Sequence, residues 1–252
     1  MPRVARQAPG DVVYHVLNRG VGRMTLFEDE GDYAAFERVL ALAQWRTDMR
    51  LLAWCLMPNH WHLVVWPRGD GDLGRFMQRL TITHVRRWQE HRHCVGRGHV
   101  YQGRFKSFPC QDDRHLLTVL RYVERNALRA GLVKQAQAWR WGSLGQRNGT
   151  GQPGHARPAA ARRGGAGVGG GLGPGAAPGP ERPALTPPPV DLPANWTAWV
   201  NRPQRQAELE AVRLAVARGR PLGGEAWVRK MTARLGLASA FRPRGRPRKE
   251  DP

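Results

Sequence analysis

Arg50-Leu-Leu-Ala-Trp-Cys-Leu-Met57, then Pro58-Asn59, then His60-Trp-His-Leu-Val-Val-Trp66 is the stretch on which the fold turns. Two apolar, β-favouring runs flank a Pro-Asn pair that suits a turn and neither a strand nor a helix interior. The chain therefore reverses at Pro58-Asn59, and the runs at 50–57 and 60–66 pair as antiparallel neighbours. Upstream, residues 30–47 place Tyr33, Phe36, Leu40 and Ala41 or Ala43 at helical spacing, and residues 12–18 read as a strand. Downstream, Leu73, Phe76, Met77, Leu80 and Val85 repeat the helical spacing through 73–90, and 105–110 is a short strand. Asp112-Asp113 opens a helix over 114–130, and Gly131 supplies its C-cap. The order β-α-β-β-α-β with a trailing helix is that of a ferredoxin-like split βαβ arrangement: an α+β domain with an antiparallel sheet and helices on one face. That architecture hosts many chemistries and selects none.

Charge narrows the partners. The 252 residues carry 40 Lys+Arg against 20 Asp+Glu, a formal net charge of +20, and 36 of the 40 basic residues are arginine. A guanidinium fork grips a phosphate through two hydrogen bonds, where an ammonium acts more as a point charge. So large a surplus calls for a polyanion, with nucleic acid first and an anionic membrane surface second. The longest apolar run, residues 51–57, falls far short of the ~20 residues that span a bilayer. The first twenty residues hold Arg3, Arg6, Asp11 and Arg19 with no apolar stretch, so no signal peptide is expected. Cys55, Cys94 and Cys110 form no CxxC, which argues against a disulfide framework and a cysteine zinc site. The expectation is a cytoplasmic, nucleoid-associated protein with no membrane partner.

Texture divides the chain in three. Residues 1–147 form the αβ domain. Residues 148–190 hold 12 Gly and 9 Pro, one acid (Glu181) and no aromatic residue, so they read as a disordered linker. Residues 191–252 form a small helical extension, with elements near 195–200, 204–218 and 224–235, and a basic tail over 242–249.

Within the domain, His60 and His62 stand at i and i+2 of a strand, so both imidazoles face one side and can meet one cation. Spacing alone reads first as ordinary sheet histidines, with metal ligands as the other reading. A second such pair, His91/His93, lies near a helix end, where i and i+2 do not share a face. Tyr122 and Asn126 are four residues apart on a helix, one turn along the same face; as a pair they are either a half-exposed polar patch or part of a site.

Four segments taken together resemble the single-tyrosine HUH transposases, and the REP-associated tyrosine transposase branch in particular. They are Tyr14-His-Val-Leu-Asn-Arg-Gly20, Met57-Pro-Asn-His-Trp-His-Leu63, Tyr101-Gln-Gly-Arg-Phe-Lys-Ser107, and Tyr122-Val-Glu-Arg-Asn126 continuing through Arg129-Ala-Gly-Leu-Val133. The resemblance covers about residues 11–145, and residues 193–249 resemble the C-terminal extension of some members. It implies that His60, His62 and Asn126 hold Mg²⁺ or Mn²⁺. It implies that Tyr122 attacks single-stranded hairpin DNA, leaving a 5′-phosphotyrosine and a free 3′-OH. The sequence itself leaves monomer and homodimer both open. The chain has Asn126-Ala127 where the family usually has Asn-Pro, Val21-Gly22 where it has an Asn-rich turn, and Tyr101 where many members have tryptophan. A phenol, with an ordinary pKa near ~10, is a weak nucleophile at neutral pH, so a metal polarising the phosphate would carry much of the catalysis. The alternatives are a domesticated hairpin-DNA binder that does not transpose, and a nuclease that hydrolyses with water and forms no adduct.

Arg19, Arg23, Arg104 and Lys106 flank these segments, with Trp88, Tyr101 and Phe105 nearby. Basic groups interleaved with aromatics suit a single strand, whose phosphates need cations and whose bases need flat partners; packing in the core is the other role open to the aromatics. Arg244-Gly-Arg246-Pro resembles an AT-hook, an extended segment that enters a narrow A·T minor groove, and reads otherwise as a nonspecific basic tail.

Overall fold

A computed structural model describes residues 7–149 and 179–242. The elements run β1 (Val13–Arg19), α1 (Glu30–Thr47), β2 (Arg50–Met57), β3 (His60–Trp66), α2 (Asp72–His91), β4 (Lys106–Cys110), α3 (Arg114–Glu124), α4 (Asn126–Arg129), α5 (Ser143–Arg147), α6 (Trp196–Asn201), α7 (Gln206–Arg218) and α8 (Glu225–Arg234). The strands form one sheet in the order β2-β3-β1-β4, with every neighbouring pair antiparallel. The expected hairpin is present, and it pairs Met57 with His60 across Pro58-Asn59. A register shift between Leu51 and Ala53 marks a bulge in β2.

Helices cover both faces of the sheet, a correction to the one-face expectation. Tyr14, Val16, Trp61, Leu63 and Val65 face α1 and α2, meeting Phe36, Leu40, Phe76 and Leu80. Val13, Val64 and Phe108 face the opposite way, onto Leu116, Val119, Leu120 and Val123 of α3. The physical reason lies in β2: a strand with one wet face alternates apolar and polar residues, whereas every residue from Leu51 to Met57 is buried.

The expected helix over 114–130 is divided at Arg125, whose φ of −84° and ψ of −3° lie off the ideal α values. Asp113 caps its start by accepting from His115 N–H at 2.8 Å. Gly131 ends α4 at φ +72°, a conformation few other residues adopt, and Leu132 N–H closes the turn onto the Ala127 carbonyl at 3.0 Å.

The three-part division needs correction where the described residues reach it. Residues 150–178 of the expected linker lie outside the described residues. Residues 179–190 lie against the domain: Thr186 N–H donates to the Leu51 carbonyl at 2.7 Å, Gln44 and Ala184 exchange two hydrogen bonds, and Arg182 pairs with the buried Glu37. At the opposite edge, Gln111 N–H donates to Leu222 and Leu222 N–H to Pro109, both at 2.9 Å. Segments from the C-terminal half thus cap both edge strands, which would otherwise offer unpaired backbone groups to other chains. Composition signals weak self-association of a segment; it is silent on a sheet edge needing partners.

Trp196 and Val200 of α6 share a core with α3. Glu124, fully buried at its side chain, accepts from Ser143 Oγ at 2.9 Å, from Arg147 Nε at 3.0 Å and from Trp196 Nε1 at 2.7 Å. Arg121 donates to the carbonyls of Arg202 and Pro203, and Arg125 to those of Val200 and Asn201. The C-terminal extension is therefore locked onto the helix that carries Tyr122.

Candidate functional site

The sheet register brings the polar residues together. Leu17 lies opposite His62 and Arg19 opposite His60 across the β1–β3 ladder, and His15 lies opposite Val64. Directly opposed residues point to the same face. His15, His60 and His62 consequently share the α3 side of the sheet, where Tyr122 waits. The His60 and His62 ring centres are 5.0 Å apart, as the i, i+2 argument requires. The Tyr122 ring stands edge-on to His62 at 5.8 Å and to His15 at 6.2 Å.

His60, His62 and Tyr122 line a cleft of about 420 Å³, together with Leu17, Asn18, Arg19, Gln102, Arg104, Lys106, Asn126, Arg129 and Val216, and His15 is buried behind them. Of the expected site residues, Tyr122, His60, His62, Asn126, Arg19, Arg104 and Lys106 thus converge. Arg23 does not: it is exposed in the short turn Val21–Arg23, and its carbonyl accepts from Asn59 Nδ2 at 3.3 Å. Arg244 and Arg246 lie outside the described residues. Trp88 and Phe105 are half-buried against the α1–α2 core, and Trp88 Nε1 donates to the Leu26 carbonyl at 3.0 Å. Tyr101 is buried, its hydroxyl bonded to Trp61 Nε1 at 3.0 Å and His84 Nδ1 at 2.7 Å.

Both cleft histidines are held at one nitrogen. His60 Nδ1 lies 2.6 Å from Asn59 Oδ1, and His62 Nδ1 lies 2.9 Å from His15 Nε2. This leaves Nε2 of each ring as the nitrogen that could meet a cation. Burial pushes the His60 imidazole down to about 4, helped by the Arg19 and Arg129 charges. Burial likewise holds His62 well below the usual histidine range, with His15, His60 and the two arginines adding to it. Two neutral imidazoles are the form in which histidine binds a metal. Asn126 Oδ1 accepts from Arg129 Nη2 at 2.7 Å, while Nδ2 is buried without a hydrogen-bond partner.

No three His, Cys, Asp or Glu side chains gather into a metal cage among the described residues. The donors available are therefore two imidazole nitrogens and one amide oxygen. That set fits a divalent cation that keeps open positions for phosphate oxygens and water, and its nitrogen content suits manganese better than magnesium.

Sequence reasoning missed three contributors. His15 sits inside the quoted Tyr14–Gly20 segment, but its role appears only once β1 is beside β3. Gln102 reaches the cleft from the loop before β4. Arg129 is i+3 from Asn126, a spacing that could have flagged it.

Residues 10–126 match the family model described as transposase IS200 like. Among solved structures, a REP-associated tyrosine transposase bound to a REP hairpin aligns at 17% identity over 65% of this chain and 98% of its own, with a TM-score of 0.48. A candidate transposase from Deinococcus radiodurans R1 aligns at 17% identity over 49% and 96%, with a TM-score of 0.35. No curated protein matches the chain. No helix among the described residues is long and apolar enough to cross a membrane. The family match ends at Asn126 and takes in both histidines and the tyrosine, so it is residues 10–126 that are similar to the IS200-like transposases.

Proposed function

We propose that the protein cleaves and rejoins single-stranded or hairpin DNA with Tyr122 as the nucleophile, using Mg²⁺ or Mn²⁺ held by His60, His62 and Asn126. One observation carries this reading: a phenol, two neutral imidazoles and an amide oxygen meet in a single cleft rimmed by Arg19, Arg104 and Lys106. A cleft of about 420 Å³ is of small-ligand size, which suits one phosphodiester and its neighbours on a single strand. The strand order β2-β3-β1-β4 also supports the ferredoxin-like split βαβ arrangement, since β3 separates β2 from β1.

When bound, the divalent ion polarises the phosphate and offsets charge developing on it. Arg19, Arg104 and Lys106 hold the flanking phosphates and orient the strand. Tyr122 Oη attacks phosphorus; an O–P bond to tyrosine forms as the P–O3′ bond breaks. The phenolic proton passes to solvent and the departing 3′ oxygen takes one up, which leaves a 5′-phosphotyrosine and a free 3′-OH. The reverse attack by a 3′-OH rejoins ends. His15 and Asn59 keep the two imidazoles oriented through their Nδ1 atoms. All these groups belong to one chain, so a monomer suffices.

The test is incubation of the protein with end-labelled single strands from the DNA flanking its gene, with Mn²⁺ or Mg²⁺, on a denaturing gel. A covalent adduct that requires the cation and disappears in Tyr122→Phe is the expected result. Cleavage that survives Tyr122→Phe would make the protein a hydrolytic nuclease, and native complexes without any adduct would make it a hairpin-DNA binder.

A further inference from the structure

Arg129 is the anomaly of the cleft. Its guanidinium is partly buried, and its ion-pair partners among the described residues include no carboxylate. Nη2 donates to Asn126 Oδ1 at 2.7 Å, Nη1 donates to the Tyr122 carbonyl at 3.3 Å, and Cζ lies over the Tyr122 ring at 4.1 Å. Burial lowers its pKa; Tyr122 and Cys55 act against that shift, and the charges of Arg213 and Arg125 add to it. A desolvated cation facing other cations with no acid is expensive unless an anion completes the site. The anion chemically suited to a guanidinium fork is a phosphate. The oxygen that Arg129 now holds is, moreover, the one the proposed divalent ion needs.

We infer that Arg129 is a two-station catalytic cation, which holds Asn126 Oδ1 until a divalent ion takes that oxygen and then pairs with the phosphate under attack. The inference rests on the cleavage reading above. In the first station the guanidinium keeps the amide oxygen aimed into the cleft and lies against the face of the nucleophile's ring. Arrival of a second cation at Oδ1 makes that station repulsive. The long side chain then swings within the cleft, where a non-bridging phosphate oxygen supplies the missing negative charge. Arg129 thereby competes with the metal for a ligand and cooperates with it on the substrate, two effects of opposite sign.

Removing the guanidinium separates them. The full-length wild type, Arg129→Met and Arg129→Lys are titrated with MnCl₂ by calorimetry, and adduct formation on the single strand is timed at saturating Mn²⁺. Arg129→Met is expected to bind Mn²⁺ about tenfold more tightly, the scale of one close unit charge removed from a solvent-open site. Its adduct formation is expected to slow about 100-fold, the loss typical of one transition-state donor. Arg129→Lys keeps a charge without the fork and is expected to fall between in both readouts. A merely structural role would weaken Mn²⁺ binding along with catalysis. Weaker or unchanged Mn²⁺ affinity in Arg129→Met, or adduct formation at the wild-type rate, would overturn the inference while leaving the wild-type reaction standing. A wild type with neither Mn²⁺ binding nor adduct would sink the cleavage reading itself, and this inference with it. Thermal melting of both variants identifies a folding defect, and Arg129→Lys keeps the test decisive if Arg129→Met is unstable.

Discussion

Acid should unfold this protein through its buried histidines, and His84 offers the cleanest measurement because it lies on the face of the sheet opposite the cleft. Its ring is packed against Phe36 at 4.8 Å and Phe27 at 5.9 Å, and Nδ1 is 2.7 Å from the Tyr101 hydroxyl. Burial pushes its pKa down from 6.5 to about 3. The folded value lies below the unfolded one, so the unfolded chain takes up the proton first. The stabilisation is complete above about pH 6.5 and is lost as the pH falls toward the folded value. Each pH unit in that window is worth about 1.4 kcal/mol, so acidification to about pH 4.5 removes roughly 2.7 kcal/mol through His84 alone. For a chain of this size that corresponds to a drop of about 5–10 °C in Tm. His84→Leu leaves the Tyr101 hydroxyl with one partner fewer, at a cost of about 1–2 kcal/mol at neutral pH, but it has no proton to bind. His15, His60 and His62 titrate alike in both proteins, so the difference isolates His84. Thermal denaturation followed by circular dichroism should show the variant melting below the wild type at pH 7 and level with or above it near pH 4.5. Two Tm curves that run parallel across that range would refute the burial argument.

Glu124→Gln should cost about 3–5 kcal/mol in urea denaturation, since it strips the charge that Arg147 faces and sets an amide donor against N–H groups of Arg147 and Trp196; a loss below about 1 kcal/mol would mean the carboxylate does not hold α3, α5 and α6 together. His15→Leu should weaken Mn²⁺ binding about 10–100-fold by releasing His62 Nδ1, and unchanged affinity in calorimetry would detach His15 from the cation site.

The hairpin across Pro58-Asn59, the helices over 30–47 and 73–90 and the cap at Gly131 were legible because each is encoded by neighbours in the chain: a turn dipeptide, a 3.6-residue apolar repeat, a residue free at positive φ. The pairing of His60 with His62 was legible for the same reason, since strand alternation alone puts them on one face. Arg121 and Arg125 illustrate the opposite case. Beside Tyr122 on a basic helix they have the look of DNA contacts, yet they bind carbonyls of residues 200–203, some eighty positions away. A guanidinium donates to a phosphate oxygen or to a carbonyl oxygen, and only the fold says which is near.

The same distinction governs the site. Local periodicity was enough to place two imidazoles on one strand face, because backbone geometry sets side-chain direction over a few residues, whereas the phenol and the amide, expected on one helix face, stand on α3 and α4 to either side of the break at Arg125. The meeting of those faces depends on β1 lying between β3 and β4 and on α3 crossing their far side, contacts between segments 50 to 100 residues apart. His15 behind His62, Arg129 on the oxygen of Asn126 and the C-terminal caps on both sheet edges follow from that packing. They arise from burial and from unpaired backbone and side-chain groups seeking partners, demands that exist only once the chain has closed on itself.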